Sequence, residues 1–189
     1  QGSIWNYQVG TMWAWGYNQY GQLGQNERNV HYSSPVQIGS DANWDITEFG
    51  RSKTGGYTAL QVKSDGTLWA WGDGGEGSLA QNSRTDYSSP VQIPGTTWKF
   101  VVNPTNTSGQ SVFGIKTDGT LWAWGNNQYG PLGLNNTVSY SSPVQVGSDT
   151  TWKEVASGND VSGASKTDGT LWMWGRNNYG QLAQNNTTN

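Results

Sequence analysis

The stretch that decides the fold is Asp-Gly-Thr-Leu-Trp-Ala-Trp-Gly-Asn-Asn-Gln-Tyr-Gly-Pro-Leu-Gly, residues 118–133. Three other parts of the chain repeat its Trp-x-Trp-Gly core, at residues 13–16, 69–72 and 172–175. The first Trp of the motif therefore recurs at intervals of 50–56 residues. Repeats of this length are typical of proteins in which each repeat forms one supersecondary unit and neighbouring units stack.

A second motif keeps the same period. Tyr-Ser-Ser-Pro-Val-Gln occurs at residues 32–37, 87–92 and 140–145. A full unit contains four short strand-like segments separated by turn residues, among them the pair Asp118-Gly119, which favours a tight hairpin. Four short strands in about fifty residues indicate a β-propeller blade.

The strand after this hairpin turn is apolar on both faces. Leu121 and Ala123 point to one side, while Trp122 and Trp124 point to the other. Such a strand must be covered on both sides, as in a blade packed between two other blades. A parallel β-helix has far shorter repeats, a β-sandwich would not repeat its sequence, and no segment shows a helical period.

We therefore predict an all-β fold, a β-propeller built from about four repeats of 50–56 residues. The whole chain forms one repeat domain or segment, residues 1–189, with units at approximately 1–39, 40–95, 96–147 and 148–189. The predicted structural core contains both Trp of each motif: Trp13, Trp15, Trp69, Trp71, Trp122, Trp124, Trp172 and Trp174. Unit one lacks a first strand and unit four lacks Ser-Ser-Pro-Val-Gln, so we expect an array that is open at both ends and completed by the rest of a longer chain or by another copy.

The repeat resembles that of the regulator of chromosome condensation family. The resemblance covers essentially the whole chain and is most specific in Gly-x-Asn-x-x-Gly-x-Leu-Gly, residues 16–24, and in the Ser-Pro-Val-Gln that follows. It implies part of a seven-bladed propeller. The family includes a nucleotide-exchange factor that docks on chromatin and secreted bacterial inhibitors that bind an enzyme, but fold transfers better than function. This chain departs from the pattern in the loop Gly72–Gly77, and Ala80 and Ala183 replace the last Gly.

Composition and charge exclude several functions. The net charge is −3 and the ten basic residues are scattered, so the sequence has no cluster of basic residues of the kind that binds nucleic acid. There is no Cys and therefore no disulfide or thiolate site, and no apolar run is long enough for membrane insertion. The single histidine, His31, has no nucleophile motif near it, and no hydrolase or phosphate-binding motif is present. We predict a protein that is not an enzyme and has no cofactor.

The loop Gly72–Gly77 formally matches the dinucleotide-binding fingerprint. That motif needs a helix N-terminus directed at the pyrophosphate, and no helical pattern follows this loop. Asp73 and Glu76 are weak candidates for a cation, but no third ligand stands in register with them. We predict no metal site.

The variable loops are the predicted binding residues, because loops on a rigid scaffold usually carry specificity. The candidates are Tyr17, Asn18, Tyr20, Arg28, His31, Arg84, Asn126, Tyr129, Arg176 and Tyr179. Tyr beside Asn and Gln suits recognition by flat rings and amide hydrogen bonds, although a Tyr in a repeated turn also serves as a packing residue.

Three functions remain open. The first is a non-catalytic module at an extracellular, virion or cell surface that presents these loops to a protein partner or receptor, since low charge and abundant Asn, Gln, Ser and Thr resemble bacterial and viral surface repeats. The second is a carbohydrate-binding lectin, which requires equivalent exposed Tyr and Asn on every unit. The third is a structural spacer or fibre decoration.

Overall fold

A computed structural model describes residues 9–45, 57–103 and 111–188, and these residues form fourteen strands. The strands are β1 (Val9–Gly10), β2 (Trp13–Gly16), β3 (Tyr32–Gln37), β4 (Trp44–Asp45), β5 (Thr58–Val62), β6 (Leu68–Gly72), β7 (Tyr87–Ile93), β8 (Trp98–Val102), β9 (Ser111–Lys116), β10 (Leu121–Gly125), β11 (Tyr140–Gln145), β12 (Trp152–Ser157), β13 (Val161–Lys166) and β14 (Leu171–Gly175). Within these ranges there is no helix, and hence none that could span a membrane.

One unit forms a complete four-stranded antiparallel sheet in the order β11-β10-β9-β8. Asp118 and Gly119 make the hairpin turn between β9 and β10, and Gly119 has a φ of +80°, which only glycine adopts freely. The other units form the sheets β5-β6-β7, β12-β13-β14 and β2-β3. A bridge between Trp44 and Lys63 adds β4 beside β5. The predicted all-β repeat of four short strands is confirmed.

The hydrophobic core lies between successive sheets. One cluster joins Leu60 and Leu79 of unit two to Trp98 and Trp124 of unit three. Two further clusters join units three and four and units one and two in the same way. The sheets of units two and three therefore contribute side chains to the core on both of their faces, as the apolar pattern of β10 predicted.

A hydrogen bond from the second Trp of the motif links each unit to the one before it. The indole N–H of Trp124 donates to the carbonyl of Ser78 at 2.8 Å. The equivalent bonds run from Trp71 to Gln22 (2.9 Å) and from Trp174 to Pro131 (2.6 Å). Because a buried indole N–H usually has an acceptor, this bond helps to fix the position of the preceding loop.

The predicted Trp core needs a correction. Trp71 and Trp124 are fully buried, and Trp69, Trp122 and Trp174 are partly buried. In contrast, Trp13, Trp15 and Trp172 are 50%, 60% and 51% exposed.

The reason is their position in the array. Trp15 lies on a face of β2 that no preceding unit covers among the described residues. Trp122 pairs with Gln145 of β11, whereas Trp172 has no fourth strand beside it in the described part of the chain. The Trp that opens each of units two to four was not among the predicted core residues, yet Trp44, Trp98 and Trp152 are buried.

Alanine keeps the turn geometry where the repeat usually has glycine. Ala80 and Ala183 have φ values of +56° and +55°, close to the +68° and +69° of Gly24 and Gly133. A left-handed alanine costs about 1–2 kcal/mol per residue. The turn is therefore imposed by the surrounding contacts, and the departure from the family pattern leaves the loop shape unchanged.

An Asp-Thr-Trp chain of hydrogen bonds follows each Asp-Gly turn. The carboxylate of Asp118 accepts bonds from the hydroxyl (2.7 Å) and the amide (3.0 Å) of Thr120. The same hydroxyl accepts the indole N–H of Trp122 at 2.9 Å. The Thr120 hydroxyl and amide hold the pKa of Asp118 below its usual value, and the same holds for Asp65 and Asp168.

These lowered pKa values predict acid sensitivity. A carboxyl whose pKa is lower in the folded state contributes stability in full above its unfolded pKa, about 3.9, and loses it as the pH falls through the folded pKa. We expect Asp118→Asn, which keeps the acceptor oxygen but not the charge, to lose less stability than the wild type on acidification. Urea unfolding at pH 6 and pH 3 measures the difference. An identical loss in both proteins would contradict the assignment.

Candidate protein-interaction face

In each unit a long loop follows the third strand of the blade, and these loops all lie at the same edge of the sheets. Strands β2, β6, β10 and β14 all end on a glycine with positive φ, and the loops 16–31, 72–86, 125–139 and 175–188 follow them. The Asp-Gly turns lie at the opposite edge, because they precede the same strands. We call the edge formed by these four loops the loop face.

A buried asparagine holds three of these loops in shape. Asn127 is fully buried and donates to the carbonyls of Asn136 (2.9 Å) and Val138 (3.0 Å), while its own oxygen accepts the amide of Leu132 at 3.0 Å. Asn18 and Asn177 are equally buried and accept the amides of Leu23 and Leu182.

Asn18 therefore cannot reach a ligand, and its prediction as a binding residue is corrected: its amide is used inside the loop. In unit two Gly74 takes this place. There the hydroxyl of Ser78 donates to the carbonyl of Asp73 at 2.8 Å. The hydroxyl of Thr58 donates to the same carbonyl at 2.7 Å, as Ser111 does to the carbonyl of Asn126 in unit three.

His31 serves as a loop anchor. Its Nδ1 accepts the backbone amide of Asn18 at 3.0 Å, so a neutral imidazole carries its proton on Nε2. Asp86 and Ser139 accept the equivalent amides in units two and three. The His31 ring also stacks on Tyr17, with ring centres 5.0 Å apart and planes 18° apart.

Three tyrosines from two units meet beside this stack. Tyr57 lies 5.8 Å from Tyr17 and 4.5 Å from Tyr20, measured between ring centres. Tyr17 remains 47% exposed. Desolvation, together with the nearby carboxylate of Asp73, raises the pKa of Tyr20, so its phenol remains a hydrogen-bond donor at neutral pH.

An open cavity of about 410 Å³ adjoins the tyrosines among the described residues. Trp13, Trp15, Tyr17 and Tyr57 line it together with Leu23. Aromatic residues make up half of its lining, and all the lining residues come from units one and two.

An ion pair crosses the boundary between the same two units. Arg28 donates to a carboxylate oxygen of Asp86 at 3.1 Å and to the Asp86 carbonyl at 2.6 Å. The Arg28 side chain keeps 41% of its surface exposed. The structure therefore brings together four predicted residues, Tyr17, Tyr20, Arg28 and His31, and adds Tyr57 and Asp86. We call these six residues the aromatic patch.

The remaining candidates lie elsewhere on the loop face. Arg176 pairs with Asp160 at 3.2 Å, and its guanidinium lies 4.7 Å from the ring centre of Tyr129. Asn126 accepts the amide of Gln128 within its own loop. Arg84 is exposed, and Tyr179 is 82% exposed in the loop of unit four.

The glycine-rich loop of unit two is an ordinary turn in the structure. No helix follows Gly77, and Asp73 Oδ1 accepts the amide of Gly75 at 2.8 Å. In the described ranges, no three His, Cys, Asp or Glu side chains group together as metal ligands would. Asp73 and Glu76 are thus not joined by a third ligand.

Successive antiparallel sheets that pack face to face through paired Trp residues define a β-propeller repeat protein. The family profile described as the Regulator of chromosome condensation (RCC1) repeat matches residues 9–49, 65–103 and 118–165, and a second profile of the same description matches residues 152–181. The chain belongs to this family, as its motifs predicted.

Similar proteins include two from Arabidopsis thaliana. The chain is 30% identical over 138 residues to the RCC1 domain-containing protein RUG3, mitochondrial, and 25% identical over 137 residues to the Ultraviolet-B receptor UVR8; each match covers 72% of this chain and 30% of the relative. It is 27% identical over 142 residues to the human E3 ubiquitin-protein ligase HERC2, covering 75% of this chain and 3% of HERC2. The chain thus spans less than a third of the length of these relatives.

Solved structures show the same fold. Human WBSCR16 has a TM-score of 0.70 at 20% identity over 87% of this chain and 42% of that one. Yeast RCC1 (Prp20), in a structure bound to Kap60, has a TM-score of 0.70 at 21% identity over 88% and 38%. At these identities the likeness establishes the β-propeller fold, and the function has to be argued from the site.

Proposed function

We propose that the chain is a non-catalytic repeat module that binds a protein partner through the aromatic patch. The observation that carries the proposal is the asymmetry of the loop face. The position of Tyr17 is taken by Asp73, Asn126 and Arg176 in the other three units. Among the described residues, repeats of the same fold therefore present an exposed aromatic cluster on the loop face at the junction of units one and two.

The chemistry of the patch suits a protein surface. Tyr and Arg are enriched at the centres of protein interfaces, because Tyr combines a large apolar area with one polar group and few rotatable bonds. His31 and the neighbouring rings hold Tyr17 in place before binding, which lowers the entropy cost of ordering it. Arg28 is likewise held by Asp86.

The family supports this class of function. RCC1-type repeat proteins mediate protein–protein interaction: yeast RCC1 (Prp20) is seen bound to Kap60, and the structure of Prp20p was described with its binding to Gsp1p and histones. Those partners belong to that protein. For this chain we propose only the class of partner, a protein, and we place its site on the aromatic patch.

The lectin alternative requires equivalent sites on every unit. Asn18, Asn127 and Asn177 are fully buried, so they cannot donate to a sugar in any unit. Tyr17 has no tyrosine at the equivalent positions, and the tyrosine at position 20 recurs in units three and four but is replaced by Glu76 in unit two. Both observations favour one asymmetric protein site over repeated carbohydrate sites.

The extracellular, virion or cell-surface setting stays a prediction from composition. Protease treatment of intact cells or particles that carry the protein measures it directly. Loss of the chain without lysis is the expected result, and full protection until lysis would contradict the prediction.

Crosslinking from the four equivalent loop positions tests the proposed function. A photoreactive phenylalanine analogue is placed singly at residues 17, 73, 126 and 176, and each labelled chain is irradiated in an extract of its source. We expect a protein adduct from residue 17 and at most weak adducts from residues 126 and 176. Equal adducts at all four positions would indicate a repeated site, and none at any position would favour the structural spacer.

A further inference from the structure

Three units share a lysine that lies between two Trp rings at the edge opposite the loop face. The lysine ends, or directly follows, the second strand of its unit, and one of the two rings belongs to the Trp that opens the unit. The ammonium nitrogen lies 4.0–4.9 Å from the ring centres in Lys63 with Trp44 and Trp69, Lys116 with Trp98 and Trp122, and Lys166 with Trp152 and Trp172. We call each arrangement a lysine clamp.

Two of the clamps contain a carboxylate. Lys63 Nζ donates to Asp41 Oδ2 at 2.7 Å, and Lys166 Nζ donates to Asp149 Oδ2 at the same distance. Both aspartates stand three residues before the opening Trp. A desolvated ammonium between two rings gains from such a partner, because a charge-assisted hydrogen bond is stronger than a neutral one.

The third clamp has no such partner. Between Ile93 and Trp98 the chain reads Pro-Gly-Thr-Thr, which is one residue shorter than the segment 39–43 and has no acidic residue. Among the described residues no carboxylate forms an ion pair with Lys116. Asp118 interacts with Lys116 electrostatically but forms no ion pair with it, and the same holds for Asp65 and Lys63.

The ammonium of Lys116 lies beside the place where the carboxylate is missing. In the other two clamps the equivalent indole N–H groups, those of Trp44 and Trp152, are buried without a hydrogen-bond partner among the described residues, so the aspartate bonds the lysine alone. A Cβ added to Gly95 would lie 3.7 Å from Lys116 Nζ and 3.3 Å from Trp98 Nε1. The indole N–H donates only one long bond, 3.4 Å, to the carbonyl of Pro94. The space beside Gly95 therefore lies next to an ammonium that has no acidic side chain among the described residues as a partner.

We propose that the third clamp is a binding site for an external carboxylate, held by Lys116 beside Gly95. The ligand takes the place that Asp41 and Asp149 fill in the neighbouring units. Its chemical class is a single carboxylate group, from an Asp or Glu side chain of another protein or from a small organic acid. The site lies away from the aromatic patch and does not rest on the proposed function.

Titration with sodium acetate, balanced by sodium chloride to constant ionic strength, tests the site. The readout is the ¹H–¹⁵N resonance of each Trp indole. We expect a saturable shift at Trp98 and Trp122 and none at Trp44 and Trp152. A capped glutamate, which carries only its side-chain carboxylate, is titrated in parallel. Tighter binding of the capped glutamate supports a protein side chain as the source, and tighter binding of acetate supports a small acid.

Two variants control the titration. Lys116→Met removes the ammonium and should abolish the shift. Replacing Pro94 and Gly95 by the Gly-Ser-Asp of residues 39–41 builds a carboxylate into the clamp and should abolish the shift without removing the lysine. A wild type with no saturable shift, equal shifts in all three clamps, or a shift that survives in Lys116→Met would overturn the proposal.

Discussion

Replacing Trp124 by alanine is expected to lower the free energy of unfolding by about 3–5 kcal/mol, the usual cost of truncating a buried Trp. Trp124 has no exposed surface and packs in the cluster between units two and three. The substitution removes its ring and leaves the carbonyl of Ser78 without the indole donor. Urea unfolding followed by circular dichroism measures the loss.

The matched control is Trp15→Ala at the same position of unit one. Trp15 is 60% exposed, and substitutions at exposed sites usually cost less than about 1 kcal/mol. Equal losses for the two variants would contradict an account in which a Trp stabilises the protein through the neighbouring unit that covers it.

Asn127→Ala is expected to cost about 2–3 kcal/mol, because it leaves the buried amide of Leu132 without an acceptor and two loop carbonyls without a donor. Asn136 and Val138 are exposed, so water can replace part of what their carbonyls lose. The free energy of unfolding in urea measures the effect.

Asn126→Ala serves as the neighbouring control. Asn126 is partly exposed, and its side chain accepts one bond, from the amide of Gln128. Its replacement should cost less than about 1 kcal/mol. If Asn127→Ala were as mild as Asn126→Ala, the buried asparagine would not be what holds the loop in shape.

Local pattern was enough to predict the architecture. The two apolar faces of Leu121–Trp124 require cover on both sides, and the turn at Asp118-Gly119 fixes the hairpin before them. Both features depend on neighbours in the sequence, and both appear in the structure as predicted. The period of the Trp motif then predicts that successive units stack on one another.

Burial of individual side chains was harder to predict, because it depends on contacts between units. The exposed Trp15 and the buried Trp124 occupy the same motif position and differ only in what covers them. Asn18 was predicted to bind a ligand because it lies in a variable loop beside Tyr17, yet the loop folds around it: its side chain donates to the carbonyl of Glu27 and accepts the amide of Leu23.

The aromatic patch was only partly visible in the sequence. Tyr17, Tyr20 and His31 lie within one loop, so their proximity follows from the chain. Tyr57 comes from the next unit, and nothing in the local pattern pairs it with Tyr20. One signal could have pointed to Asp86: like His31, it directly precedes the Tyr-Ser-Ser-Pro-Val-Gln motif.

The most direct test of the proposed protein-binding site is isothermal titration calorimetry with the protein crosslinked at residue 17. Its affinity is measured for the wild type, for Tyr17→Ala and for Tyr179→Ala, an exposed tyrosine outside the aromatic patch. We predict that Tyr17→Ala weakens binding about tenfold or more, the range of a central interface residue, and that Tyr179→Ala leaves it unchanged. Unchanged affinity in Tyr17→Ala, or the same loss in both variants, would contradict binding through the aromatic patch.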